Sequence, residues 1–133
     1  MALTKMQVAH LLKQARTDRK LTLLGLSKKA DIPLSTICRA EKGTSDPTLY
    51  VICEIAKAYG VTMNWDLFAH NLYARRKELG LTQEKVAKRA GCWPQTICLY
   101  EREDAQPLAT SYIRLCEALD VDPVKFLEGE YHG

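Results

Sequence analysis

The sequence predicts an all-α protein made of two tandem five-helix units, one over residues 1–68 and one over 69–133. Three observations predict it. The 133-residue chain aligns with itself, without a gap, at an offset of 60 positions. Apolar residues recur at the three- and four-residue spacing of a helix face. No β-hairpin dipeptide or alternating strand run interrupts them. A 60-residue repeat is too long for a solenoid unit and suits a small domain.

The self-alignment is specific. Arg16 meets Arg76, Leu21-Thr22 meets Leu81-Thr82, and Lys28 meets Lys88. Thr36-Ile37-Cys38 meets Thr96-Ile97-Cys98, Glu41 meets Glu101, and Pro47 meets Pro107. In the first unit, Val8, Leu11, Leu12 and Ala15 share one face of a predicted helix over Val8–Arg19. Thr22 is the N-cap expected for a second helix ending near Ala30, because its hydroxyl can accept from an unpaired amide of the first turn. The turn Asp31-Ile32-Pro33 leads to a third helix over Leu34–Glu41. Asp46-Pro47 reads as a cap followed by proline at the first helical position. It starts a fourth helix with Leu49, Ile52, Cys53, Ile55 and Ala56 inward, and a short fifth helix follows Val61. The second unit repeats the pattern over Ala69–Leu79, Gln83–Ala90, Pro94–Arg102, Leu108–Leu119 and Pro123–Leu127. No Gly or Pro lies between Asn64 and Leu79, so the fifth helix is expected to run into the sixth.

Composition narrows the function. The chain is 47% hydrophobic and 26% charged, a packed globular balance. No apolar run approaches the roughly 18–20 residues of a membrane-spanning helix. Met1 to His10 carries no long apolar stretch, so no secretory signal is expected and a cytoplasmic location follows. The five cysteines form no CxxC, so neither a structural metal site nor a redox motif is indicated, and reduced thiols are expected. Phosphate-loop, HExxH, GxSxG and triad spacings are missing, which argues against an enzyme, and no cofactor is implied. Net charge is +3, which permits a polyanionic partner without demanding one.

Leu81-Thr82-Gln83, Val86-Ala87, Gly91, Thr96-Ile97 and Glu101 resemble the helix-turn-helix of the Cro/repressor (XRE-type) family. The first unit carries Leu21-Thr22, Leu26-Ser27, Asp31, Thr36-Ile37 and Glu41 at the same spacing. The two resemblances cover nearly the whole chain. The spacing has a physical reason: two helices crossing near a right angle need a sharp turn, supplied by Gly91 or by Asp31, which tolerates a left-handed φ. The resemblance implies a sequence-specific, DNA-binding regulator, a repressor acting by operator occupancy on double-stranded DNA. It also implies a regulator of the kind carried by bacteria, phages and mobile elements, with homodimerisation as a further expectation. Arg16–Glu41 and Arg76–Glu101 are expected as structural ion pairs between the first and third helix of each unit.

By resemblance, DNA contacts fall on the residue opening helix two and on the start and outer face of helix three. In the second unit these are Gln83, Trp93, Pro94, Gln95, Thr96 and Leu99, with Arg102 at phosphate. In the first they are Leu34, Ser35, Thr36 and Arg39, with Lys42 at phosphate. Arg39 suits guanine and Gln95 adenine, because each side chain can form a paired hydrogen bond to that base edge. Trp93 admits a second reading, cover for the core, and that reading is favoured. Cys38 and Cys98 are expected as helix fillers, His10 and His70 as helix-face packing, and Trp65, Phe68 and Phe126 as core.

Some residues depart from the pattern. Leu23 stands where the family has Gln, and Pro94 and Leu99 place apolar groups on the reading face. Residues 1–68 carry 10 basic and 6 acidic side chains, net +4, whereas residues 69–133 carry 9 and 10, net −1. The alternative function is therefore an antiactivator or antirepressor that binds another regulator through a retained helix-turn-helix fold.

Overall fold

A computed structural model describes residues 4–131. Eight α-helices follow in order: α1 (Lys5–Asp18), α2 (Leu23–Ala30), α3 (Leu34–Lys42), α4 (Leu49–Ala58), α5 (Phe68–Glu78), α6 (Gln83–Ala90), α7 (Pro94–Glu101) and α8 (Ala109–Leu119). Each unit ends in a 3₁₀ turn, Trp65–Leu67 and Lys125–Leu127. The fold is all-α, and the fifth element of each unit is one turn instead of a full helix. The first of these turns passes into α5 with no intervening residue.

Side-chain caps set the helix starts. Thr4 and Gln7 form a capping box: the Gln7 amide donates to Thr4 Oγ1 (3.2 Å) and the Thr4 amide to Gln7 Oε1 (2.8 Å). Helix α1 therefore begins a turn before Val8. Thr22 caps α2 by accepting from Gly25 N (2.9 Å), and Thr82 caps α6 by accepting from Lys85 N (3.1 Å). The expected Asp46-Pro47 cap of α4 is not used. Thr48 is the N-cap and accepts from Val51 N (3.3 Å), while Pro47 lies outside the helix. Asp122 does cap the final turn, accepting from Val124 N and Lys125 N.

Asp46 is engaged elsewhere, at the join between the units. An isolated antiparallel bridge pairs Thr48 with Leu108, its own equivalent at the 60-residue offset. Leu49 N donates to Pro107 O (2.9 Å) and Ala109 N to Pro47 O (2.7 Å). Beside them, Asp46 Oδ1 accepts from Thr110 N (3.2 Å) and Gln106 Oε1 from Tyr50 N (2.7 Å). Each unit thus caps the other's fourth helix. Asp46 Oδ2 also accepts from the Thr110 hydroxyl.

The apolar interior crosses this join. Leu49, Cys53, Met63 and Phe68 of the first unit sit in one buried cluster with Leu72, Val86, Ile97, Tyr112 and Leu119 of the second. A smaller cluster, Leu26, Ala30, Ile32, Ile37 and Ile55, belongs to the first unit alone. The Phe68 ring packs edge-on against Tyr100 (5.5 Å) and Tyr112 (5.8 Å). The chain after the last 3₁₀ turn folds back over α5. Buried Asn71 donates to Phe126 O (2.7 Å) and Gly129 O (2.9 Å) and accepts from Tyr131 N (2.8 Å).

Candidate nucleic-acid interface

In each unit the second and third helices form a wedge. The turn between them needs a left-handed residue. Asp31 takes φ 56° in the first unit and Gly91 φ 74° in the second. Ala30 and Ala90 are buried where the helices approach, and Ile37 and Ile97 plug the crossing from below. Helix α3 packs on α1 and α2, and α7 on α5 and α6. That leaves one face of each third helix outward.

A two-pronged ion pair locks each third helix from behind. Arg16 donates to Glu41 through Nε (2.7 Å) and Nη2 (2.9 Å), and to Leu21 O through Nη1 (2.7 Å). Arg76 repeats this with Glu101 (2.6 and 2.9 Å) and Leu81 O (2.9 Å). The side chains are only 7–10% exposed, so water screens these pairs little. The hydrogen bonds to Glu41 and Glu101 push both guanidinium pKa values upward. Each arginine ties the first helix, the loop before the second and the end of the third into one rigid corner.

The predicted contact residues divide by exposure. On α3, Leu34, Ser35, Arg39 and Lys42 are exposed and Thr36 is half-buried. On α7, Gln95 and Leu99 are exposed, with Pro94 and Thr96 half-buried. Trp93, expected to cover the core, is 76% exposed at the N-terminus of α7. Its first-unit equivalent, Pro33, is exposed too, so the position lies outside the packed wedge. Gln83 donates its amide to Glu101 Oε1 (3.0 Å) and so belongs partly to the ion-pair network. Leu23 is half-buried against the smaller core, which accounts for an apolar residue there. Arg102 is exposed and pairs with Asp104 at 3.3 Å, which offsets part of its charge.

Two other expectations change, for Trp65 and for the two histidines. Trp65 is exposed and meets Tyr50 edge-on at 5.6 Å, whereas Phe68 and Phe126 are core. His10 and His70 are exposed and pack no helix face; His70 Nε2 lies 3.2 Å from Glu130. The cysteines are free thiols. Burial pushes Cys53 and Cys116 up to about 12, so neither is a thiolate at neutral pH.

Sequence reasoning places the acidic Glu103 and Asp104 just after the second reading helix but missed two features of this surface, the backbone of Glu103 first. Glu103 adopts φ 63° where the first unit has Gly43 at φ 76°. A glutamate in left-handed backbone costs about 1 kcal/mol relative to glycine, and its charge lies one residue beyond Arg102. The second is the pair Asp46 and Gln106, which orients the two wedges. Their equal place in the repeat was the available signal.

These features define a protein with two helix-turn-helix wedges on one merged core. A helix-turn-helix family model matches the chain twice, over residues 12–65 and 72–126. The chain belongs to the XRE-type helix-turn-helix family, in two tandem copies, and is a DNA-binding regulator of that type. No curated protein and no solved structure matches it. Among the described residues, no helix is long and apolar enough to cross a membrane.

Proposed function

We propose that the protein is a cytoplasmic, sequence-specific transcriptional repressor that acts by occupying its operator. One observation carries this reading. Both third helices present exposed polar side chains outward, and each is braced from behind by a buried Arg–Glu clamp. An element braced in this way enters a major groove, about 12 Å wide, without losing conformational freedom on binding. Arg39 reads guanine and Gln95 adenine; Ser35, Thr36 and Thr96 contact phosphate or thymine methyl groups. Lys42 displaces counterions, and Arg102 contributes more weakly because Asp104 competes for it. The division near residue 68 is functional: each half supplies one reading helix, over an interior that both share.

Leu99, the exposed Trp93 and the net −1 charge of residues 69–133 favour a second reading, an antirepressor or antiactivator that docks another regulator. A salt titration of duplex binding separates the two. Operator binding weakens steeply and log-linearly as salt rises, because neutralised phosphates release counterions. If promoter fragments are retarded no more than random duplex at any salt, the second reading stands.

A further inference from the structure

The join between the units has a symmetry that the repeat alone does not require. Two tandem copies can be related by translation, in which one surface of the first meets a different surface of the second. They can also be related by a twofold rotation, in which the same surface meets itself. The hydrogen bonds around Thr48 and Leu108 decide between them at the join, although a further bond between the units, Asn64 N to Leu127 O (2.9 Å), has no exchanged counterpart among the described residues. Leu49 N to Pro107 O becomes Ala109 N to Pro47 O when each number is exchanged for its equivalent at offset 60. Tyr50 N to Gln106 becomes Thr110 N to Asp46 under the same exchange. The bridge Thr48–Leu108 maps onto itself, so the axis passes between those residues. The contact is isologous, as in a homodimer, but lies within one chain.

Carried outward from the join to the reading helices, that twofold would set α3 and α7 at equal height and with opposite sense across the axis. Residues 43–48 join the end of α3 to the axis, and an extended chain of that length spans at most about 20 Å. The ends of α3 and α7 therefore lie within roughly 40 Å of each other, which accommodates successive major-groove faces about 34–36 Å apart. The reading faces are unlike. Arg39 stands opposite Leu99, Ser35 opposite Gln95, and Pro33 opposite Trp93.

We propose that a single chain binds an inverted, imperfect repeat with two unlike arms, the first half of the protein on one arm and the second half on the other. This rests on the DNA-binding reading above and adds polarity, stoichiometry and asymmetry to it. The unlike arms give the protein one orientation on its site, which a symmetric homodimer lacks. Asp46 and Gln106 are positioning residues: they touch no base and hold the two readers in inverted register.

The test begins with selection of bound sequences from a random duplex pool by the intact chain. Three duplexes are then built from the selected site: the site itself, a version with one arm reversed to make a direct repeat, and a single arm. The selected site is expected to show two unlike inverted arms. Native mass spectrometry is expected to find one chain per duplex, with affinity about 100-fold lower on the reversed and single-arm versions. Arg39→Ala should relax base preference in one arm and Gln95→Ala in the other. Equal affinity for the direct repeat, or two chains on every inverted site, overturns the proposal while leaving DNA binding intact. Failure to enrich any sequence overturns the DNA-binding reading, and the proposal with it.

Discussion

Arg39 and Gln95 are exposed on helices whose backs are fully packed, so their loss should leave the fold alone. Arg39→Ala and Gln95→Ala are each expected to weaken the selected site by about 1–3 kcal/mol at unchanged melting temperature. Unchanged affinity in both would move the reading face elsewhere. Arg76 has the opposite profile. Its removal leaves the Glu101 carboxylate, 7% exposed, without its main partner. Arg76→Ala is expected to cost about 3–5 kcal/mol in urea unfolding; an effect confined to DNA affinity would refute the clamp. Glu103 combines backbone strain with charge. Glu103→Gly should add about 1 kcal/mol of stability and tighten duplex binding at low salt, since a phosphate-facing acid is removed. A looser complex would place Glu103 away from the duplex.

The helices owe their starts to short-range chemistry and their arrangement to long-range contacts. Thr22 and Thr82 were legible as caps because a cap needs only a hydroxyl two or three residues before the amide it accepts from. Asp46 was misread because the same residue type caps either its own helix or another, and nothing local says which. Trp93 was misread because an aromatic residue at a turn looks alike whether it folds inward or stands in solvent. The tail over α5 shows the same dependence. Glu78 accepts from the Tyr131 hydroxyl (2.5 Å) and from Arg75. Those bonds hold the Glu78 carboxyl below its ordinary value of 4.5 and push the Tyr131 hydroxyl above 10.0. A lowered acid contributes above its unfolded value and is lost as pH falls through its folded value. A raised phenol contributes below its unfolded value and is lost as pH rises through its folded value. Tail docking should therefore be strongest between about 4.5 and 10 and weaken on both sides. Amide exchange at Tyr131 checks it, and Tyr131→Phe should flatten both limbs. A profile unchanged by that variant would assign the docking to Asn71 alone.

Across the molecule, the merged interior predicts cooperative behaviour. Leu49, Cys53 and Met63 of the first unit are buried among second-unit side chains, so neither half completes its core alone. Calorimetry should show one transition with equal calorimetric and van't Hoff enthalpies. Two resolved transitions would mean that the join contributes little.

The residue order alone carried the repeat and the helix periods, and the resemblance to the Cro/repressor family supplied the Arg–Glu pairs that brace each wedge. A self-match and a helix period are patterns along the chain, and a linear sequence records them directly, whereas Arg16 and Glu41 stand 25 residues apart on different helices. The outer residues of α3 and α7 came from the same resemblance, and the structure adds their exposure. Which surface of one unit meets which surface of the other was decided by packing. Two copies of one pattern are equally compatible with a translation and a rotation, and the choice rests on Asp46, Gln106 and a pair of main-chain hydrogen bonds that form only when the chain closes on itself.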